Sequence, residues 1–282
     1  MSVMEKIASA NKLSSNSRYR GMYQKEIFSI FQLIGWPPRG CHLPLDPLKF
    51  HNAKELLEIK PRYNEHIHLT FLATDCAKKA MKNCVTYNKH MKLIQNGEKH
   101  LPVGREHIWE SLTSRARNTI RKSAKHQFMI SSGKLSHFYK QVHELLTITA
   151  SRKKYINTLS LKMLKELSLI LSEDDYLLML AKSDEMVISF CLFLIENDKA
   201  IYYQGSTATS FVRSGVSSEL MYEGLTSLSD RSVKTLDMNG LGDPGVRKWK
   251  ESFNLNNIEL IHYEREGIVF NLFRKIYGVI KR

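Results

Sequence analysis

Three apolar runs between residues 176 and 205 constrain the fold of this chain more than any other feature. The runs cover residues 176–182, 186–195 and 200–205, and they are rich in the β-branched and aromatic residues that strands favour. Ser183-Asp184 and Asn197-Asp198 lie between them, and short polar pairs of this kind are typical of tight turns. The sequence therefore predicts three consecutive antiparallel strands joined by hairpins.

Periodic patterns extend to both sides of these strands. Residues 135–265 read as α-α-β-β-β-α-β-α-β, because apolar residues recur at helical spacing in some segments and alternate in others. We predict an α+β fold with a mixed sheet and helices on both faces. The other predicted elements are helices at 106–127 (one helix or two abutting ones), 135–148, 160–171 with Ser160 as N-cap, 217–228 and 246–253, and strands starting at 128–130 and covering 233–238 and 258–265.

The two ends of the chain carry further patterns. Residues 14–60 have mainly helical spacing, whereas 66–73 alternates like a strand. The predicted elements are helices at 23–34 and 75–84, strands at 66–73 and around 87–94, and a basic, amphipathic helix at 268–281.

The charge of the chain restricts its partners. Lys and Arg number 42 against 28 Asp and Glu in 282 residues, which gives a net charge of +14. Such a field favours polyanions: nucleic acid, an anionic membrane, an acidic carrier protein or a phosphate-rich cofactor. The alternative is a solvated basic surface with no specific partner.

The sequence shows no secretory signal and no apolar run long enough to span a membrane. Its four cysteines have no regular spacing, which favours free buried thiols in a reducing compartment, so we expect a cytoplasmic protein. The eleven histidines include no HExxH pair, and we expect no metal site.

Four motif-like stretches resemble one branch of the GNAT acyltransferase fold. Residues 112–124 (LTSRARNTIRKSA) are similar to its "lskktRnnirkAek", and 202–206 (YYQGS) stand where it has "YYxxGas". Residues 236–240 (LDMNG) resemble its "yDfgG", and 245–253 (GVRKWKESF) resemble its "GvxxFKxgF". The branch is the Fem-type family, which contains peptidoglycan interpeptide-bridge aminoacyltransferases and related acyltransferases.

The resemblance implies a domain arrangement as well as a fold. Fem-type proteins carry two GNAT-like halves, so residues 1–104 are expected to be a degenerate first half and 105–282 the acyltransferase half. The chain departs from the pattern at Trp249, at Glu251-Ser252 and at Asn239. These departures put a peptidoglycan acceptor in doubt more than they do the fold.

The resemblance also implies which residues act on the substrate. The Lys of the family's "FK" pair is Lys250, which would stabilise the tetrahedral intermediate; an exposed helix lysine is the alternative reading. In the GNAT fold a splayed strand end offers backbone N–H groups to the carbonyl, which here points to Gln204 and Gly205 as oxyanion donors. Asp237 would orient the amine or accept its proton, or else bond the backbone of the following turn. Tyr202 and Tyr203 alternate along a strand, so only one of them should face the cleft; we take Tyr203 as the catalytic candidate.

Two groups of residues are candidates for binding the phosphates of a donor. Arg117, Arg121 and Lys125 share one face of a predicted helix, and together with Arg152-Lys153-Lys154 this face could hold the phosphates of a tRNA acceptor stem, a nucleotide-linked acceptor or CoA; a solvated helix face is the alternative. CoA-binding GNAT proteins carry an [RQ]xxGx[GA] turn, of which only Arg213 and Gly215 remain here, one position too close. We therefore favour aminoacyl-tRNA slightly over acyl-CoA as donor, with acyl carrier protein as a further possibility, and expect no tightly bound cofactor.

The sequence thus predicts an N-acyltransferase that moves an aminoacyl or acyl group to the amine of a small-molecule, peptide or cell-wall acceptor. The competing prediction is a non-catalytic protein that binds RNA or a membrane surface through its basic helices, the C-terminal helix included.

Overall fold

The computed structural model of this protein describes residues 29–32, 65–72, 91–154, 159–242 and 244–266. The described chain falls into two compact units, one of which is Asn96–Asn257; the residues before it and those from Ile258 onward belong to the other. The elements of the chain are, in order, β1 Ser29–Gln32, β2 Glu65–Leu72, β3 Met91–His100, α1 Arg105–Glu110, α2 Ser114–Ser123, β4 Met129–Gly133, α3 Leu135–Lys153, α4 Leu161–Ile170, β5 Tyr176–Ser183, β6 Met186–Glu196, β7 Lys199–Thr207, α5 Val216–Asp230, β8 Thr235–Asp237, α6 Pro244–Glu251 and β9 Asn256–Glu266.

The Asn96–Asn257 unit contains a mixed sheet in the order β3-β8-β7-β6-β5-β4. The pairs β4–β5, β5–β6, β6–β7 and β3–β8 are antiparallel, whereas β7 and β8 run parallel. A parallel pair needs a crossover connection, and α5 supplies it between β7 and β8. The predicted hairpins and the predicted mixed sheet are both confirmed.

Helices cover both faces of this sheet, as predicted. Leu177, Met179 and Ala181 of β5 pack into one buried cluster with apolar residues of α5. Leu178 and Leu180 alternate with them and are equally buried, so the opposite face is covered as well. Helix α3 contacts β6 and β7, and α5 contacts β5 and β6.

Several predicted elements are confirmed with shifted ends. The segment 106–127 forms two helices, α1 and α2, and Ser160 caps α4 by accepting a hydrogen bond from the N–H of Met163. The predicted strand at 66–73 is β2, which pairs with both β1 and β9 within the second unit.

The predicted helix at 23–34 is wrong for its described part, because Ser29–Gln32 is strand β1. Ile30 and Phe31 are residue types that strands also favour, and pairing with β2 places Ile30 opposite Ile67. The predicted strand around 87–94 lies later, at Met91–His100. The predicted helices at 75–84 and 268–281 lie outside the described residues. The proposal that residues 1–104 are a degenerate GNAT-like half stays a prediction.

None of the helices in the described ranges is long and apolar enough to cross a membrane.

Candidate functional site

Strand β7 carries one residue more than the strand beside it. Leu192 of β6 lies opposite Gln204, while the next residue, Phe193, lies opposite Tyr202. Tyr203 is therefore the extra residue of a β-bulge, which bends the strand and redirects its side chains. Tyr202 and Tyr203 both line one cavity. The prediction that only one of them faces the cleft assumed an uninterrupted alternation, which the bulge breaks.

The bulge is followed by a residue that has to be small. A Cβ atom on Gly205 would overlap the hydroxyl of Tyr202 and lie 3.1 Å from the carbonyl oxygen of Phe190. The Tyr202 ring in turn lies against the rings of Phe193 and Trp249, with centroids 5.7 and 5.9 Å apart. Gly205 thus leaves the space in which the Tyr202 hydroxyl sits at the cavity wall.

A second wall of the cavity is the turn that follows β8. Asn239 and Gly240 have positive φ angles of 55° and 72°, a conformation that Asn and Gly tolerate best. Asp237 Oδ1 accepts hydrogen bonds from the N–H of Asn239 (2.6 Å) and from Asn96 Nδ2 (2.9 Å). Asn96 Oδ1 in turn accepts from the N–H of Gly240 at 2.7 Å. The two polar side chains hold the turn in one shape.

Lys250, on α6, also binds this turn. Its Nζ donates to the carbonyl oxygens of Met238 (2.6 Å) and Gly240 (2.7 Å), and it lies 5.4 Å from the centre of the Tyr202 ring. The side chain is only 5% exposed, so the alternative of an exposed helix lysine is wrong. An amine at this depth is surrounded by carbonyl dipoles and a ring face, both of which favour a positive charge.

Aromatic side chains in and next to α6 fix the direction of the Lys250 side chain. Phe253, just after the helix, is fully buried, and its ring meets that of Trp249 edge to face at a centroid distance of 5.3 Å. Trp249 Nε1 also donates to Ser218 Oγ of α5 at 3.1 Å. These contacts fix the rotation of the short helix and hence the direction of Lys250.

The cavity between the bulge, the turn and α6 measures about 390 Å³, a volume within the range of small-molecule sites. It brings together four of the residues predicted from sequence: Tyr203, Gln204, Gly205 and Lys250. The C-terminal end of α3 and the start of α5 complete its wall. Two of the basic residues predicted to hold phosphates, Arg152 and Lys153, also line it, and the other lining residues include Thr149, Cys191, Tyr202, Ser206, Ser217, Asn239 and Trp249.

A directed chain of hydroxyl groups holds Arg152 at this wall. Ser206 Oγ donates to the carbonyl of Leu145 at 2.7 Å, and because it has one proton it accepts from Thr149 Oγ1 at 2.6 Å. The lone pairs of Thr149 Oγ1 are thereby left for Arg152 Nη2 at 3.4 Å, and Nη1 lies 3.4 Å from the carbonyl of Thr207. The guanidinium is therefore oriented before any ligand enters.

The cavity is electropositive. Arg152, Lys153 and Lys250 line it, and the described lining residues include no carboxylate. Burial raises the pKa of Cys191 to about 12, although its hydrogen bond with Tyr202 acts in the opposite direction. The thiol is thus protonated at neutral pH and is a poor nucleophile. Negative charge on a ligand, or developing during a reaction, is favoured at this wall.

The remaining predicted site residues do not line the cavity. Asp237 bonds the backbone of the turn, which is the structural role considered for it. Arg117 Nη1 donates to the carbonyls of Leu112 (2.7 Å) and Glu110 (3.2 Å), and so joins α1 to α2. Gly215 is the N-cap of α5 with a φ of 91°, where a Cβ would lie 2.7 Å from the carbonyl oxygen of Thr119.

Three predicted phosphate ligands lie on the surface. Arg121 is exposed, with its guanidinium 5.2 Å from the ring centre of Trp109 and Nη1 donating to Asn118 Oδ1. Lys125 and Arg213 are also exposed. These side chains are accessible to a large polyanion, and their role in binding phosphate stays a prediction.

Asn96 is the site residue that sequence reasoning missed. It lies in β3 within a stretch that carries no motif, and it reaches Asp237 across 141 positions of sequence. Only the pairing of β3 with β8 brings the two together. Among the described residues, no group of three His, Cys, Asp or Glu side chains is placed to hold a metal ion.

Comparison with known proteins supports the fold. No family model matches the chain, and no curated protein matches it. The solved structure of FemX superposes with a TM-score of 0.56 at 13% identity, covering 82% of this chain and 77% of FemX. The C-terminal domain of a putative lysylphosphatidylglycerol synthetase from Agrobacterium fabrum has a TM-score of 0.47 at 8% identity, covering 73% of this chain and 70% of that one. The ribosomal-protein-S18-alanine N-acetyltransferase from Escherichia coli has a TM-score of 0.37 at 14% identity, covering 49% and 94%.

FemX is the comparison on which the assignment rests. At 13% identity the similarity concerns the fold, and it covers most of both chains. The chain thus has a fold like that of FemX, as its motifs predicted.

Proposed function

We propose that this protein is an N-acyltransferase that moves an aminoacyl or acyl group from an activated donor to an amine. The amine nitrogen attacks the donor carbonyl carbon, the bond from that carbon to the leaving oxygen or sulfur breaks, and the amine proton leaves to the departing group or to water. A donor for the developing oxyanion is the main requirement of such a step.

The observation that carries this proposal is the position of Lys250. A buried amine faces a cavity next to the bulged strand, and the carbonyls of Met238 and Gly240 fix its direction. A preorganised cation of this kind stabilises a tetrahedral oxyanion, and it does so without a cost for reorientation during the reaction. Gln204 and Gly205, at the bulge, are the backbone donors we assign to the same oxyanion.

The other residues of the cavity have supporting roles in this proposal. Tyr203 contacts the acceptor amine or relays its proton. Asp237 and Asn96 position the turn whose carbonyl oxygens accept hydrogen bonds from Lys250. Arg152 and Lys153 hold a negatively charged part of one substrate at the C-terminal end of α3.

We infer that aminoacyl-tRNA is the donor in preference to acyl-CoA. The net charge of +14 suits a large polyanion, and residues 111–143 contain three Arg and four Lys but no Asp or Glu. The turn before α5 lacks the full glycine pattern of a pyrophosphate site, and Gly215 packs against Thr119. An acidic carrier protein remains the third donor consistent with the charge.

The test of the activity is Lys250→Ala in the full chain, assayed for amide formation with charged tRNA and with acyl-CoA. We expect the rate to fall by about 10²–10³-fold, the usual cost of losing one oxyanion donor. Lys248→Ala is the matched control, because Lys248 lies on the same helix and is exposed. An unchanged rate for Lys250→Ala, or no amide from any charged tRNA or acyl-CoA, contradicts the proposal.

A non-catalytic RNA-binding protein is the second candidate, and the acid-free stretch at residues 111–143 favours it. It predicts tRNA binding that is unchanged in Lys250→Ala and no product under any condition. Membrane contact through the C-terminal helix concerns residues outside the described ranges and stays a prediction, as does a cytoplasmic location.

A further inference from the structure

We propose that a second cavity, at the opposite end of α3 from the cavity that Lys250 lines, binds a small molecule through a carboxylate or phosphate group. This cavity measures about 330 Å³ and lies where β4 ends and α3 and β5 begin. Helix α3 has 19 residues and is therefore roughly 29 Å long at 1.5 Å per residue, with Arg152 and Lys153 at its far end. The second cavity is thus separate from the acyl-transfer site, and its function does not depend on that activity.

Tyr176 supplies the first reason to expect a ligand. Its side chain lines the cavity, is only 6% exposed, and accepts a hydrogen bond from the backbone N–H of Leu135 at 2.9 Å. The hydroxyl also has a proton to donate, and no acceptor for it occurs among the residues that the structure describes. Buried donors are nearly always paired, so we expect an oxygen of a bound molecule to accept the hydrogen bond from this hydroxyl.

The charges around the cavity indicate an anion. Lys134, His137 and Arg231 line it together with a single carboxylate, Glu173. Lys134 lowers the pKa of Glu173 through an ion pair at 2.5 Å, and Arg231 and His137 lower it further through space. The lining thus carries two permanent cations, Lys134 and Arg231, against one carboxylate, and this balance favours a negatively charged group on the ligand.

Arg231 is held ready for such a ligand. Its Nη1 donates to the carbonyls of Glu173 (3.1 Å) and Tyr176 (3.0 Å), which fixes the plane of the guanidinium at the start of β5. The first turn of α3 contains no acidic residue, so no side chain there offsets the positive end of the helix dipole. The anion would meet Tyr176, Arg231 and the start of α3 together.

The floor of the cavity limits what the rest of the ligand can be. Phe138, Leu177 and Leu178 line it beside the polar groups. The volume is at the lower end of the range for small-molecule sites. A small oxyanion with or without a short apolar body fits this space, whereas a polymer does not.

The proposal is tested by titrating the full chain with inorganic phosphate and, separately, with butyrate, at an ionic strength held constant with chloride. Calorimetry should show saturable binding of one probe at a single site. Tyr176→Phe, which removes only the hydroxyl, should weaken that binding by at least about tenfold, since a hydrogen bond to a charged group is lost. The probe that binds more tightly identifies the ligand as a phosphate or a carboxylate.

A second variant covers the possibility that Tyr176→Phe alters the start of α3. Lys134→Gln/His137→Gln changes two exposed side chains and should weaken binding without unfolding the protein. Lys140→Gln, an exposed lysine elsewhere on α3, is the matched control and should leave binding unchanged. Absence of saturable binding by both probes, or equal affinity in wild type, Tyr176→Phe and Lys134→Gln/His137→Gln, overturns the proposal. An equal loss in Lys140→Gln also overturns it, because the binding would then reflect net charge alone.

Discussion

At the scale of single residues, Lys99 shows how burial changes the chemistry of a side chain. It lies in β3, is 2% exposed, and donates from Nζ to Ser111 Oγ at 3.0 Å. Burial lowers the pKa of Lys99 from 10.5 to about 8. The folded protein therefore holds this proton less tightly than the unfolded chain does.

We expect the free energy of unfolding to rise between about pH 8 and pH 10.5 through Lys99. Below about pH 8 Lys99 is charged in both the folded and the unfolded protein, and burial of the charge destabilises the fold in full. Above this pH the folded protein loses the proton first, which removes the destabilisation, by about 3 kcal/mol at most. Urea unfolding at several pH values measures it. The stability of Lys99→Met should depend less on pH and be higher at pH 7, because the variant buries no charge. Ser111 would keep a partner, since its hydroxyl donates to the carbonyl of Ile108. Parallel pH profiles for wild type and Lys99→Met would contradict this account.

Gly205 provides a prediction about the shape of the cavity that Lys250 lines. Gly205→Ala should cost about 1–3 kcal/mol of stability, because the new Cβ overlaps the Tyr202 hydroxyl. Tyr202→Phe removes that oxygen, so the same glycine substitution should cost less in the Tyr202→Phe background. A double-mutant cycle by urea unfolding measures the difference. If the two substitutions lowered the stability additively, the Tyr202 hydroxyl would not be the group that Gly205→Ala displaces.

The sequence predicted part of the site at this scale. Lys250, Gln204, Gly205 and Tyr203 lie around one cavity because each belongs to a motif close to a strand end. Asn96 was not predictable in this way, since its partner Asp237 is distant in sequence. The extra residue in β7 was missed as well, because a bulge changes the alternation of side chains without a distinctive local composition.

At the scale of secondary-structure elements, the start of α2 is joined to the end of α6. Thr113, the N-cap of α2, accepts from the N–H of Ala116 at 3.3 Å. Its hydroxyl also donates to the carbonyl of Ser252 at 2.6 Å, and its own N–H donates to the same oxygen at 3.3 Å. Ser252 follows the helix that carries Lys250, so Thr113 holds the end of a helix that lines the cavity.

We expect Thr113→Ala to destabilise the protein more than Ser160→Ala. Each substitution removes an N-cap worth about 1 kcal/mol, but Thr113→Ala also leaves the Ser252 carbonyl without one donor, at a similar further cost. Thr113→Ser should retain most of the stability. Urea unfolding of the three variants measures the order of their stabilities. Equal losses of stability for the two alanine variants would contradict a stabilising contact between α2 and the end of α6.

Element positions were predictable where periodicity was strong. The three central strands and α3 to α5 follow directly from apolar spacing, with ends displaced by a few residues. The segment around Ser29–Gln32 was predicted wrongly as helix, because a short run of Ile and Phe suits either structure. Pairing with β2, which decides between them, is not visible in local sequence.

At the scale of the whole molecule, the distribution of charge leads to a prediction about RNA. If tRNA is the donor, its affinity should fall steeply as salt rises, because bound phosphates release counterions. Arg121→Gln/Lys125→Gln should reduce the slope of log affinity against log salt by roughly one to two. Lys162→Gln/Lys165→Gln, which removes the same charge from α4, is the matched control. Equal slopes in wild type and Arg121→Gln/Lys125→Gln would exclude these two side chains from the RNA interface.

The topology was predictable because several weak signals agreed. The order of elements restricts the sheet to few arrangements, and the four motifs in order selected the Fem-type one. The identity of the donor and acceptor was not predictable, since charge is compatible with several polyanions.

The bulge in β7 has a consequence for how this strand can change over time. Tyr203 has no counterpart in the register of β6, so loss of one residue at this point would restore regular pairing. Every residue from Gln204 onward keeps its present face only while the extra residue is there. A one-residue deletion that would be harmless in a loop would therefore exchange inner and outer faces along the end of the strand and dismantle the cavity. The length of β7 should consequently tolerate less variation than the identity of most of its side chains.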